Sequence, residues 1–97
     1  MASVAVLSPS ALAKLDEAEG LVRAGRHEEA IRVYESALGE QAPGALPRIM
    51  RGLGIAYYRK GDTAMSVVAF RRYLPWATDE ERPKLEGFIR NASMGRQ

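Results

Sequence analysis

Arg48, Arg51, Ile55 and Tyr58 recur at intervals of three, four and three residues, with Arg59 beside them. On a helix that spacing puts the first four on one side. Guanidinium forks take carboxylates bidentately, and an aromatic ring among them adds a stacking surface. The pattern suits an extended segment carrying acidic and apolar side chains. The competing reading is a solvated face, but few acidic residues lie nearby to neutralise the arginines. Reactive chemistry has fewer parts. There is no cysteine, so thiol nucleophiles, disulfides and cysteine zinc sites are excluded. The single histidine, His27, cannot build a metal site without several carboxylates, and it is expected to pack against a helix turn. Asp79-Glu80-Glu81 reads as favourable charge at a helix N-terminus rather than as a metal site. With no glycine-rich phosphate loop either, the chain is expected to be no enzyme and to need no cofactor or metal.

The charge is unevenly spread. Residues 1–40 hold four basic side chains against seven acidic ones, whereas residues 41–78 hold six basic ones against Asp62 alone. Acids elsewhere offset the arginines, and stacking aromatics are not interleaved with them, so nucleic acid is not an expected partner. Ninety-seven residues give one domain with one core. No apolar run approaches the roughly 20 residues that span a bilayer. The start, MASVAVLSPSALA, lacks a basic n-region, and its apolar run Val4–Leu7 is too short for a secretory core. No membrane partner and a cytoplasmic location are the expectations. Arginine supplies eleven of the fourteen basic residues, a compositional hint of a GC-rich bacterial source.

The elements that must carry these residues read as helices. Ser8-Pro9 has the chemistry of an N-cap followed by a first-turn proline, and Leu12, Leu15, Ala18, Leu21 and Val22 keep helical spacing as far as Gly25. A second helix is predicted over about 28–39, with Ala30, Ile31, Tyr34, Ala37 and Leu38 on one face, and residues 41–44 form a loop. Pro47 opens a third helix, with Met50, Leu53, Ala56 and Tyr57 toward the core, up to Gly61. The fourth runs over about 62–74 and stops at Pro75. The fifth covers about 80–94 with Leu85, Phe88, Ile89 and Ala92 as its stripe; Thr78 and Glu81 have capping-box spacing, although Pro83 is awkward for so early a start. No strand is expected. Set 36 residues apart, GRHEEAIRVYESAL (25–38) and GDTAMSVVAFRRYL (61–74) share the glycine, an aromatic at Tyr34 and Phe70, and the final leucine. The segments before them, 15–25 and 51–61, also align, with Ala18 over Gly54. Two helical pairs at a fixed period indicate a repeat array.

Leu53-Gly54, Tyr57, Gly61-Asp62, Phe70 and Pro75 in one unit, and Ala18, Leu21, Gly25, Ala30, Tyr34, Ala37 and Pro43 in the other, resemble the tetratricopeptide repeat, a helix–turn–helix unit of about 34 residues. The resemblance implies an all-α fold of tandem antiparallel helix hairpins, a TPR-like α-solenoid of about five helices. Residues 1–8 form an arm, 9–94 one domain (unit one 11–44, unit two 47–80, a capping helix about 80–94), and 95–97 a tail. The first unit departs from the pattern in lacking the early tryptophan and in carrying Glu17 where leucine is usual. Ser66 and Tyr73 stand where alanine is usual; Tyr73 is expected to fit its helix to the cap, and Trp76 to plug the space between the second unit and the cap. Two units fall below the usual three, which leaves a marginal module, a self-associating one or part of a longer array as alternatives.

In this family ligands usually lie in the groove lined by the first helix of each unit. That implies a site formed by Leu12, Leu15, Glu19, Val22 and Arg23 with Arg48, Arg51, Ile55, Tyr58 and Arg59. The lysine and asparagines of the family's chaperone-type carboxylate clamp are replaced by Leu15, Glu19 and Gly52, so a heat-shock-protein C-terminus is not expected. Gly52, costly inside a helix by ~1 kcal/mol, admits either a ligand backbone or tight helix packing. The expected function is a non-enzymatic adaptor or scaffold that binds an acidic, apolar protein or peptide segment. The alternative is a self-assembling module, a homo-oligomer with an acidic first unit meeting the basic second unit of another copy.

Overall fold

The computed structural model describes residues 8–40 and 42–94, a body of 47 × 32 × 20 Å. Apart from Ser8 the expected arm lies outside the described residues, as do Gln41 of the loop and the tail 95–97. Five α-helices follow in order, α1 Pro9–Arg23, α2 His27–Gly39, α3 Leu46–Lys60, α4 Thr63–Tyr73 and α5 Glu81–Met94. Short 3-10 turns, Pro43–Ala45 and Leu74–Trp76, precede α3 and follow α4. No strand occurs among the described residues. The fold is all-α, with each helix packed on the next and α1 also touching α3. No helix of the described residues is long and apolar enough to cross a membrane.

The chain's 36-residue echo becomes a repeated turn. Gly25 and Gly61 both have positive φ, 83° and 99°, a conformation glycine adopts without a Cβ penalty. The N–H of Gly25 donates to the Val22 carbonyl and that of Arg26 to Leu21; Gly61 and Asp62 donate to Tyr58 and Tyr57 in the same pattern. This double bond pattern satisfies the last carbonyls of α1 and α3 and turns the chain into the next helix. The starts differ. Ser8 Oγ accepts from Ala11 N at 3.1 Å and Asp62 caps α4 through Met65 N, whereas α2 has no side-chain cap.

The core is built from alanines and aliphatic side chains with the rings of Tyr34, Phe70 and Tyr73. Ala11, Leu15, Ala18, Ala30, Tyr34, Ala37, Ile49, Met50, Leu53 and Ala56 are buried in it. Ile49 was not among the expected core positions; Tyr57, which was, is only partly buried. A Cβ on Gly52 would overlap the Tyr34 ring, 2.6 Å from Cε1, and one on Gly54 would stand 2.6 Å from Cδ1 of Phe70. Gly52 therefore serves helix packing, the second of its two alternatives, by admitting the ring of α2 as Gly54 admits the ring of α4. Ser66, wholly buried, donates its hydroxyl to the Gly54 carbonyl at 2.8 Å.

The capping box forms reciprocally. Thr78 Oγ1 accepts from Glu81 N at 3.0 Å, and Glu81 Oε1 accepts from Thr78 N at 3.1 Å. Arg82 N donates to the Thr78 carbonyl, but Pro83 has no N–H for the next rung, and regular helix runs from Glu81. Tyr73 joins α4 to this start by donating its hydroxyl to Glu81 Oε1 at 2.8 Å. Trp76 does not plug the space before the cap. It is 45 % exposed, and buried Tyr73 and Ala77 occupy the inner positions.

Candidate functional site

A groove of about 410 Å³ is lined by Glu19, Val22 and Arg23 of α1, Tyr34 of α2, and Arg48, Arg51, Gly52, Ile55 and Arg59 of α3. Seven of the ten expected site residues meet here. Leu15, Leu12 and Tyr58 do not. Leu15 is wholly buried, because its position on α1 points between the helices rather than along the groove. Leu12 is exposed away from it, and Tyr58 is 57 % exposed on an adjoining hollow.

The groove's charges divide into paired and unpaired. Arg48 grips Glu19 bidentately, its Nη2 donating to Oε1 at 2.9 Å and Oε2 at 2.8 Å, with Asp16 at 3.6 Å. The Glu19 bond holds the Arg48 guanidinium above its ordinary pKa. Arg51 Nε donates to Glu81 Oε2 at 3.0 Å. These acids are the neighbours that the sequence did not show, since they arrive from 29 and 30 residues away through packing. Arg23 and Arg59 have no carboxylate within the 4.0 Å of an ion pair among the described residues. Glu19 is the one carboxylate in the lining, and Arg48 already engages it. The groove presents uncompensated positive charge at two positions.

The Tyr34 side chain forms the floor. Its phenol is pushed up to about 12, first by burial and then by Glu19, against the opposing pull of Arg48, Arg51 and Arg23. The sequence placed Tyr34 on the apolar face of the second helix; that it also reaches the groove depends on the Gly52 gap, visible only once α2 and α3 are packed.

Two smaller hollows adjoin the groove. One of about 280 Å³ is bounded by Ile55, Tyr58, Arg59, Phe70, Leu85 and Phe88. The other, about 170 Å³, is bounded by Arg51, Ile55, Phe70, Tyr73, Glu81, Lys84 and Leu85. Phe88 meets Tyr58 edge-on at 5.5 Å and 85°, and Phe70 at 5.9 Å and 89°.

Elsewhere, Arg71 and Arg72 are exposed on α4. His27 opens α2 half-buried, its Nδ1 enclosed without a hydrogen-bond partner among the described residues. Glu81 of the acidic run is committed to capping. No cluster of three or more His, Cys, Asp or Glu among the described residues could hold a metal ion. No family model matches the chain, and no curated protein or solved structure is significantly similar to it.

Proposed function

We propose that the chain is a non-enzymatic protein-interaction module whose groove binds an extended segment bearing acidic and apolar side chains. The observation that carries this reading is the pair of unpaired guanidiniums, Arg23 and Arg59, on a groove whose other arginines are engaged internally. A carboxylate entering there gains a charge-assisted bond without displacing an existing partner. Val22 and Ile55 supply apolar lining between the charges. The reading agrees with what the likeness to tetratricopeptide repeats implies about the use of this side of the helices.

Selection of random dodecapeptides displayed against the immobilised full chain tests it. Selected sequences are expected to be enriched in Asp and Glu, and as synthetic peptides to bind less tightly as salt rises. Arg23→Glu and Arg59→Glu are each expected to weaken that binding at least about tenfold, the loss of one charged hydrogen bond, with helicity and melting unchanged. Unbiased peptides, or binding that ignores both substitutions, would overturn the proposal. These two positions are cleaner probes than Arg51, whose replacement also removes the Glu81 contact that fastens α5.

A further inference from the structure

We infer that the site reads two chemistries along one segment: carboxylates over the arginine groove and, next to them, one large apolar side chain inserted in the aromatic hollow at α5. This rests on the reading proposed above and adds the anchor.

Three observations carry it. The cavities are neighbours, since Ile55 borders all three and Arg59 borders both the groove and the larger hollow. A segment leaving the groove past Ile55 enters the hollow directly. The chemistry changes along that path. The groove is lined by four guanidiniums, whereas the hollow is walled by Tyr58, Phe70, Leu85 and Phe88 with Arg59 its one charge. At about 280 Å³ the hollow lies at the small end of ligand pockets and takes a single side chain. Its rings stand edge-to-face while Tyr58 remains 57 % exposed, so an aromatic or aliphatic group can cover apolar surface that the fold itself leaves open.

Charge complementarity fixes the occupant and its order. Arg59, unpaired and shared by the two cavities, places one carboxylate beside the anchor. Arg23, unpaired at the α1 side, places further acids away from it. Leu85 and Phe88 belong to α5, so the capping helix completes the site as well as closing the core.

The peptides selected on the full chain provide the test, made as fluorescein-labelled copies and titrated by anisotropy. They should share one Phe, Tyr, Trp, Leu or Met beside an Asp or Glu. Replacing that residue by Ser, or introducing Tyr58→Ser or Phe88→Ala, should weaken binding about tenfold, as for a buried anchor residue. Combining the peptide change with Tyr58→Ser should cost little more than either alone, because both remove the same contact. Tyr58→Ser decides the matter if Phe88→Ala disturbs α5, which circular dichroism will show. Acidic peptides without a fixed apolar position, or binding within twofold for both Tyr58→Ser and Phe88→Ala, would overturn the anchor and leave the arginine groove standing. Indifference to Arg23→Glu and Arg59→Glu, or failure to select any peptide, would remove both. A concentration-dependent dimer lost in Tyr58→Ser would assign the hollow to a second copy of the chain and overturn the anchor.

Discussion

Gly52 and Tyr34 are a matched pair, and their energetics oppose each other in a measurable way. Alanine at position 52 gains about 1 kcal/mol of helix propensity. It also drives a Cβ into a buried ring, and overpacking of that kind costs about 1–3 kcal/mol. The ring is only 2 % exposed and is held between α2 and α3, so the clash wins: Gly52→Ala should destabilise the fold by roughly 1 kcal/mol in denaturant titrations. In a Tyr34→Ala background the clash vanishes and the same substitution should stabilise. Additive behaviour in that cycle would show that the ring is not held in the gap. Tyr34 also has an alkaline signature. Its folded pKa, about 12, lies above the ordinary 10.0, so the unfolded chain loses this proton first as pH rises. The contribution is intact below pH 10 and fades as pH climbs toward 12. Tyr57 and Tyr73 are also raised, first by burial, so near-ultraviolet titration should show late phenolate absorbance that Tyr34→Phe reduces by one tyrosine rather than abolishes. At this scale the sequence exposed the oddity of Gly52 but not its partner, because residues 18 apart meet only through the α2–α3 packing.

The start of the last helix is fastened through one carboxylate, while Leu85 and Phe88 give it apolar contacts. Glu81 accepts from Tyr73, Thr78 and Arg51, and Ile89 is the one buried residue of α5. Those bonds, the Tyr73 hydroxyl first, hold the Glu81 carboxyl below its ordinary 4.5. A depressed folded pKa means that the stabilisation is present above about pH 4.5 and disappears as pH falls through the folded value. Glu40, lowered by Lys14 and then Ser10, acts in the same acidic window. Glu81→Gln should therefore melt lower than the parent at pH 7, with the gap narrowing as the pH is taken below 4.5. A gap that persists unchanged would show that the charge of Glu81 is not what fastens α5. The Thr78–Glu81 cap and the fitting of Tyr73 to the last helix were legible, being local spacing and an unusual residue size. Trp76 was misread because ring size alone does not say which way a short 3-10 turn will face it.

Across the whole molecule, the acidic first half and basic second half complement each other inside one chain. Glu19 and Asp16 meet Arg48, Glu28 stands 3.9 Å from Lys60, and Glu35 accepts from Tyr57. These contacts bind α1 and α2 to α3, so the asymmetry that suggested head-to-tail assembly already has partners within the molecule. Sedimentation at low salt should accordingly give a monomer, and a salt-reversible oligomer there would restore the self-assembling alternative. The fold class, helix order and period were legible because helical spacing, glycine stops and proline starts are written locally. The site was legible as a face but not as a charge state. Arg48, Arg51 and Ile55, with Arg59 beside them, follow from α3 periodicity, and Glu19, Val22 and Arg23 from what the repeat resemblance implies, whereas which arginines stay unpaired depends on acids brought in from other helices.

The two gaps in α3 also bear on how the molecule forms. Gly52 and Gly54 weaken this helix by about 1 kcal/mol each when it stands alone, yet it is the element that both α2 and α4 grip through their rings. The middle helix is thus weakened on its own and gains its packing from both neighbours. The two hairpins cannot then assemble as independent beads, and relaxation of α1–α4 is expected in a single kinetic phase whose late event is the closing of Tyr34 and Phe70 over a helix without side chains to meet them.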